Sequence, residues 1–324
     1  MEYKKISKSL EMHWRAVEVE RQLYPCFMAV QGSQNYGLDW NESDVDTKCW
    51  IVPTLKEMSF NSRPVSETYV LRNNEHADIK DIRLYFGEFW KQNPNFLEVL
   101  FSPYVMMTRD FTPYYDRLVE LRERIAHYDN YKMIGTLGGM AQQKFNSMFK
   151  VRPGNQASFD KVEYDVKDLC HLLRVEEMLK NFSDDVSFKE SLGRFSTYGK
   201  YFLVGIKQFN VELPEAKKLA KEAMKRIKVY IQEYPQNHFH RIDNDVRVKV
   251  EDLLFDVIKG RGKKGKFMEL KDYQIEPRGC EFCAKFDFET RRIIFKTKHD
   301  LKDYSIHEKR LNYCPLCGRK LEEA

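Results

Sequence analysis

The sequence predicts an α+β fold, in which a small sheet with helices is followed by an all-α region and a small cysteine-bearing module. Short apolar runs bounded by proline lie near the N-terminus, and such runs are typical of buried strands. From residue 112 to about residue 258 the apolar residues recur mostly at helical spacing. Two close pairs of cysteines follow. We therefore expect three domains, at residues 1–110, 111–258 and 259–324.

The composition is that of a folded protein, with 42% hydrophobic and 14% aromatic residues in a chain of 324. The net charge of +5 is too small to demand a nucleic-acid partner by itself. The N-terminus lacks the apolar segment of a signal peptide, and no run approaches the roughly 18 apolar residues of a membrane-spanning helix. We expect a cytoplasmic protein that does not contact a membrane.

A glycine-serine turn between two predicted strands organises the N-terminal part. Residues 26–30 predict a buried strand, and residues 45–52 predict a second one that stops at Pro53. Between them, Gly32 lets the backbone pass close to a phosphate, and Ser33 adds a hydroxyl and an amide donor. The turn is therefore a candidate phosphate site.

Two aspartates open the second strand. Asp44 and Asp46 are two residues apart, so both carboxylates project from the same face of a strand. Carboxylates held together repel one another unless a cation lies between them, and Mg²⁺ takes one or two carboxylates together with waters and substrate phosphates. Each motif alone is more often a plain turn or a solvated charge. Their combination in one strand-turn-strand unit indicates a site for a metal and a phosphate.

Gly32-Ser33, a spacer of ten residues and Asp44-Val45-Asp46 resemble the signature of the nucleotidyltransferase superfamily of the DNA polymerase β type. The longer pattern, which adds Tyr36-Gly37-Leu38 and Ser43, is similar to a bacterial and phage branch of predicted nucleotidyltransferases. The resemblance spans about residues 26–260. It implies a mixed sheet backed by helices, a nucleoside triphosphate at Gly32 and Ser33, and two Mg²⁺ or Mn²⁺ ions held by three carboxylates.

Asp78 is the predicted third carboxylate. From Ile82 onward the apolar residues follow a helical stripe, so Asp81 is predicted to be the N-cap of that helix. Asp78 precedes the cap, on a strand whose other face carries Ala77 and Ile79. It is thereby placed to join the aspartate pair as a metal ligand and general base. An exposed strand charge, or Asp81 as the third acid, stays open.

The other predicted elements are mostly helices. They comprise an amphipathic helix at 8–23, a strand at 68–71, a helix starting at Pro94, and helices at 115–127, 131–150, 161–181, 213–232 and 244–259. Breaks are expected at 153–154, 183–185, Pro214 and Pro235. The glycines of residues 135–140 indicate either close helix packing or passage of a substrate strand. Residues 258–266 predict a flexible basic linker, for which contact with a phosphate backbone stays open.

One helix carries a basic face. Lys167, His171 and Arg174 are spaced i, i+4, i+7 and share one side, opposite a leucine-rich side. Three stacked basic groups repel one another unless they meet anions, which a bound triphosphate supplies. A solvated charged face is the alternative. The pattern is also similar to the helical domain of the nucleotidyltransferase branch named above, where it implies nucleotide binding.

The C-terminal tail carries a metal motif. Cys280 and Cys283 are followed by thirty intervening residues and then Cys314 and Cys317. Two such knuckles predict a tetrahedral Cys₄ site for structural Zn²⁺, and the tail resembles a zinc ribbon. The remaining cysteines, at 26, 49 and 170, have apolar neighbours and are expected in the core.

Two functions compete. The first is a metal-dependent nucleotidyltransferase that moves a nucleoside monophosphate from a nucleoside triphosphate to a hydroxyl and releases pyrophosphate. Its acceptor stays open among nucleic acid, a protein and a small molecule. The second is a catalytically inactive nucleotide- or nucleic-acid-binding module that docks through the zinc ribbon.

Overall fold

The computed structural model describes residues 3–40, 43–193 and 195–264, and short strands at 273–276, 286–287 and 292–293. The α-helices are α1 (Tyr3–Arg15), α2 (Ser33–Tyr36), α3 (Leu55–Ser59), α4 (Ile82–Phe89), α5 (Pro94–Leu97), α6 (Thr112–Ala126), α7 (Asn130–Ser147), α8 (Gln156–Val162), α9 (Val166–Ser183), α10 (Phe188–Gly193), α11 (Thr197–Lys207), α12 (Leu213–Asn237) and α13 (Asn244–Lys264). A π-helical turn lies at Ala16–Glu20 and a 3₁₀ turn at Glu98–Leu100. The strands are β1 (Pro25–Gln31), β2 (Asp46–Ile51), β3 (Ser66–Val70), β4 (His76–Asp81), β5 (Val105–Thr108), β6 (Tyr273–Glu276), β7 (Phe286–Asp287) and β8 (Arg292–Ile293).

The larger sheet is mixed. Within the described residues its order is β3-β4-β2-β1-β5-β6, and β7 pairs separately with β8. Strands β2 and β4 run parallel, with Lys48 opposite Asp78, while the other neighbours are antiparallel. The mixed sheet with helices agrees with the architecture that the family resemblance implies.

Both faces of this sheet are covered. Leu10 and Trp14 of α1 pack with Cys49 and other apolar residues on one face. On the other face, Trp50 is fully buried, with its ring centre 4.3 Å from that of Phe27. Burial of both faces explains why β1 is a continuous apolar run.

The local signals of the sequence placed several elements correctly. Asp81 caps α4 by accepting a hydrogen bond from the Arg83 amide at 2.9 Å. Asp78 lies on β4, with its strand neighbours Ala77 and Ile79 buried on the opposite face. Pro94 occupies the first turn of α5. These contacts lie close in sequence, which is why spacing alone could predict them.

Two predictions for the helical part were wrong. The break expected at Pro235 is absent, because this proline lies in the last turn of α12 and the helix ends just beyond it. The flexible linker expected from residue 258 is helical through Lys264. Tertiary packing accounts for this, since a Cβ atom on Gly260 would lie 2.5 Å from the Tyr114 hydroxyl oxygen, so α13 approaches α6 closely.

The domain division and the zinc site stay predictions. One apolar core joins the sheet to α6, α7 and α9 without interruption. The four cysteines of the predicted zinc site lie outside the described residues, whereas the other three are buried, as predicted. No helix in the described part of the chain is long and apolar enough to cross a membrane.

Close packing explains one of the α7 glycines. A Cβ atom on Gly138 would lie 2.4 Å from Cδ1 of Ile231 on α12, so the two helices approach closely there. A Cβ atom on Gly135 or Gly139 would meet nothing within 4 Å. Packing therefore accounts for Gly138 and not for Gly135 or Gly139.

We predict that Gly139→Ala stabilises the protein by up to about 1 kcal/mol, because alanine is favoured in helices and finds free space here. Gly138→Ala should not be stabilised in this way, since the added methyl group would force the Ile231 side chain to move. Urea unfolding measures both free energies. Equal stabilisation by the two variants would contradict the close approach of α7 and α12.

Candidate active site

A cavity of about 1090 Å³ lies between the glycine-serine turn and α9. Its lining brings together most of the residues singled out in the sequence, which are Gly32, Ser33, Asp44, Asp46, Lys167, His171 and Arg174. The acidic side chains lie on the sheet side, and the basic ones come mainly from the helices. A volume of this size accommodates a ligand as large as a nucleotide.

The turn that leaves β1 depends on Gly32. Its φ of 86° and ψ of −141° are accessible to glycine and strained for other residues. No atom lies within 4 Å of an added Cβ, so the backbone conformation and not the available space requires glycine. The Gly32 amide donates to Glu98 Oε1 at 3.3 Å. Ser33 then starts the short helix α2.

The two aspartates lie where β2 begins. Asp44 is exposed and Asp46 is partly exposed. Asp46 Oδ1 accepts a hydrogen bond from the His76 amide at 2.8 Å, and His76 Nδ1 lies 3.2 Å away. The Asp44 carbonyl accepts from Gln34 Nε2 at 2.6 Å. The strand pairing and these bonds orient both residues at the cavity.

The buried pair of Glu75 and His13 holds Val45, the residue between Asp44 and Asp46. Glu75 Oε1 accepts from the Val45 amide at 3.1 Å, and Oε2 lies 2.9 Å from His13 Nε2. Burial alone would raise the pKa of Glu75, but hydrogen bonds from His13, Asn73 and the Val45 amide together lower it. Glu75 is therefore an ionised anchor for the Asp44–Asp46 segment.

Asp78 is held apart from the other two carboxylates. Lys48 Nζ donates to Asp78 Oδ2 at 2.8 Å, and Lys80 Nζ lies 4.0 Å from Oδ1. Lys48 lines the cavity, whereas Asp78 is not among the lining residues. In the part of the chain that the structure describes, no group of three or more His, Cys, Asp or Glu residues could hold a metal ion.

The donor set thus fits one divalent cation better than two. Asp44 and Asp46 present carboxylate oxygens to a cavity large enough for a phosphate ligand, which is the environment that Mg²⁺ uses. Asp78 does not fit as a further ligand in this arrangement, because an ammonium group already occupies its carboxylate. Its predicted role in metal binding and as a base stays a prediction.

Arg174 is the buried cation of the opposite wall. Its relative exposure is 3%, and its Cζ atom lies 4.1 Å from the centre of the Tyr36 ring. Nε and Nη1 are buried and find no hydrogen-bond partner among the described residues. A buried donor without a partner is costly, so the position suits an anion that arrives with the ligand.

Positive charge is concentrated around Arg174. His171 lines the cavity. Its pKa is lowered by burial and by the cations Arg174, Lys144, Lys207 and Lys167, and both causes act in the same direction. Lys207 of α11 donates a hydrogen bond to the Leu38 carbonyl at 2.9 Å. Burial lowers the pKa of Lys207, and the neighbouring charges of Lys167 and Arg174 lower it further, although Cys170 and Asp39 act in the opposite direction. An anion bound here would relieve this repulsion.

Glu98 links the two walls. It is buried, accepts from the Gly32 amide, and is hydrogen-bonded by the Tyr36 hydroxyl. Burial raises its pKa, although Tyr36, Arg174, Lys48 and Gly32 partly oppose this. The ring of Tyr36 therefore has a cation on its face and a carboxylate at its hydroxyl.

Sequence reasoning missed several residues of the site. Glu98 follows a helix start and by periodicity alone looked structural. Lys207 lies on α11, which was not predicted. The partner of Asp78, Lys48, was hidden because strand register decides which residues face each other. Only its position two residues after Asp46, on the same strand face, could have indicated it.

Comparison with known families gives one match. The profile of the RNA repair pathway DNA polymerase beta family matches residues 5–179. This segment is more than half of the 324-residue chain and includes the turn, the aspartates and the basic face of α9. A search of curated proteins finds no match.

We predict that Glu98→Gln alters the pH dependence of stability. Because the folded-state pKa of Glu98 is raised, its stabilising contribution is present at low pH and falls as pH rises through the ordinary glutamate value. Glutamine does not ionise, so the variant should gain stability relative to wild type as the pH rises above about 4, the ordinary value for glutamate. Urea unfolding across this range measures the difference. The matched control is Glu120→Gln at an exposed position on α6, and the same difference at every pH would contradict the expectation.

Proposed function

The chain belongs to the RNA repair pathway DNA polymerase beta family, and we propose that it is a metal-dependent nucleotidyltransferase. It would transfer a nucleoside monophosphate from a nucleoside triphosphate to a hydroxyl group, with release of pyrophosphate. The family supports a nucleotidyltransferase, and the substrate, acceptor and metal are our proposal. The observation that supports this proposal is the buried guanidinium of Arg174, whose Nε and Nη1 lack hydrogen-bond partners among the described residues. It lines the same cavity as Gly32 and Asp44, on the opposite side.

In this proposal the helical wall binds the triphosphate. Arg174 offers planar donors to phosphate oxygens, and Lys167 and Lys207 add charge nearby. Gly32 leaves the backbone open on the opposite side, and Ser33 offers its hydroxyl and amide. The triphosphate would lie between the walls, with its α-phosphate toward the aspartates.

Asp44 and Asp46 would hold the divalent cation. When bound, Mg²⁺ or Mn²⁺ supplies a Lewis acid that stabilises charge on the phosphate oxygens. The two carboxylates are kept at the cavity by the backbone bonds of β2 and by Glu75 below Val45. The protein thus contributes ligands whose mutual repulsion is relieved only when a cation is present.

The reaction balances as a displacement at phosphorus. The acceptor oxygen forms a bond to the α-phosphorus, and the bond from this phosphorus to the bridging oxygen breaks. Pyrophosphate leaves with the electron pair, and the acceptor proton goes to a base, for which Asp78 is the sequence prediction. Negative charge moves toward the leaving group, where Arg174 and its basic neighbours would stabilise it.

An RNA hydroxyl is the first acceptor to test. The description of the matched family names an RNA repair pathway. This favours a nucleic acid as the acceptor over a protein or a small molecule. The net charge of +5 is modest, so such an acceptor would be recognised locally near the cavity and not by the whole surface.

We predict pyrophosphate release from at least one nucleoside triphosphate in the presence of Mg²⁺ or Mn²⁺ and total RNA. Asp44→Asn should lower the rate at least a hundredfold without unfolding the protein, because the exposed carboxylate serves the cation and not the core. A pyrophosphate assay with each of the four nucleotides measures this. The control Asp252→Asn changes an exposed carboxylate of α13 that does not line the cavity.

Equal rates for wild type and Asp44→Asn would contradict the assignment. No release from a folded wild-type protein that still binds triphosphate would favour the inactive binding module.

We also predict that Arg174→Met weakens binding of inorganic tripolyphosphate by about tenfold to a hundredfold, since charged hydrogen bonds are worth about 1.5–3 kcal/mol. The affinity of Arg174→Lys should lie between those of the wild type and Arg174→Met, because lysine keeps the charge but lacks the planar donors. Calorimetric titration measures the affinities. Arg226→Met, which removes a surface partner of Glu176, is the control. Unchanged affinity in Arg174→Met would exclude this wall as the triphosphate site.

A further inference from the structure

The parallel pairing of β2 with β4 puts a lysine where the metal site was predicted. Side chains alternate along a strand, so Asp46 and Lys48 share one face of β2. Lys48 is directly opposite Asp78 in the parallel register. Lys48 therefore stands on the same face as the aspartates and directly beside the third carboxylate.

The contact between Lys48 and Asp78 is close and sheltered. Lys48 Nζ lies 2.8 Å from Asp78 Oδ2, and the two side chains are 6% and 18% exposed. The same ammonium lies 4.4 Å from the centre of the Phe96 ring, which adds a cation–π contact. A carboxylate and an aromatic face thus hold this ammonium in one place.

The surroundings of Asp78 are already positive. Besides Lys48, Lys80 Nζ lies 4.0 Å from Oδ1 and 5.6 Å from the Phe96 ring centre. A divalent cation at Asp78 would have to displace one ammonium and approach a second. Asp44 and Asp46 have no lysine within salt-bridge distance in the described ranges, and Asp46 is paired with His76.

We infer that the Lys48 ammonium takes the place of a second metal ion, so that the chain has one divalent-cation site, at Asp44 and Asp46. Asp78 is then not a metal ligand, and its contact with Lys48 positions the ammonium at the cavity wall. A fixed ammonium there supplies permanent positive charge at the cavity wall that also carries Asp44 and Asp46. The inference rests on the proposed function only in treating Asp44 and Asp46 as cation ligands.

The first experiment tests the ion pair without any metal. Lys48→Met, Asp78→Asn and the double variant of the full chain are unfolded in urea. We expect each single change to raise the equilibrium constant for unfolding, and the double change to raise it at least tenfold less than the product of the two single effects. If the effects of the two substitutions were independent, the Lys48–Asp78 interaction would be excluded, and this result would not depend on whether the protein acts on nucleotides.

The second experiment counts cations. Mn²⁺ alone is titrated into the full chain, free Mn²⁺ is followed by electron paramagnetic resonance, and Asp44→Asn defines the ions that belong to the site. Wild type should bind one such ion, and Lys48→Met should bind two. Lys48→Arg and Lys80→Met, which lies on the same face of β4, should keep one.

Two ions in wild type, or no additional ion in Lys48→Met, would overturn the inference. No ion at all in wild type would overturn the cation ligands of the proposed function as well. The urea experiment would still report the Lys48–Asp78 pair separately, so the two failures are distinguishable. If Lys48→Met does not fold, Lys48→Gln, which keeps Asp78 and can still donate a hydrogen bond to it, is titrated in its place, and a second ion supports the inference while its absence overturns it.

Discussion

The contact between the Tyr36 ring and the Arg174 guanidinium joins the two walls of the cavity. Tyr36 also donates to Glu98, which accepts from the Gly32 amide. One line of contacts therefore runs from the helix α9 to the turn after β1, and its three side chains are buried. Substitution of one of these side chains would leave a buried polar group without its partner, which costs about 1–3 kcal/mol of stability. The two walls face each other because this line is complete.

The charges of the cavity are separated by structural layer. The sheet side supplies carboxylates, of which Glu98 accepts from Tyr36 and Asp44 is exposed, together with one lysine, Lys48, which is paired with Asp78. The helices supply the other cations, and burial together with their mutual repulsion lowers the pKa of His171 and of Lys207. A complex of a metal ion with a triphosphate carries both signs of charge. It would compensate both layers at once, which neither an anion nor a cation could do alone.

The sequence was informative wherever neighbours along the chain decide the structure. The strand-turn-strand unit, the cap at Asp81 and the common face of Lys167 and Arg174 all follow from local spacing, and the structure brings the unit and that face to one cavity. It was uninformative where contacts between distant segments decide. Lys48 meets Asp78 through strand register, and α13 stays helical beyond residue 258 because it packs on α6. Such contacts have no periodic signature.

The distance along the chain between the two walls has a consequence for biosynthesis. Tyr36 and Arg174 are 138 residues apart, and Lys207 lies further on. At about 5–20 residues per second, the ribosome makes the carboxylate wall several seconds before the basic wall emerges. A nascent or truncated chain that stops before α9 has the aspartates but lacks the cations that would hold a triphosphate. Under the proposed function, nucleotide binding would therefore be deferred until the helical half has been synthesised and has docked.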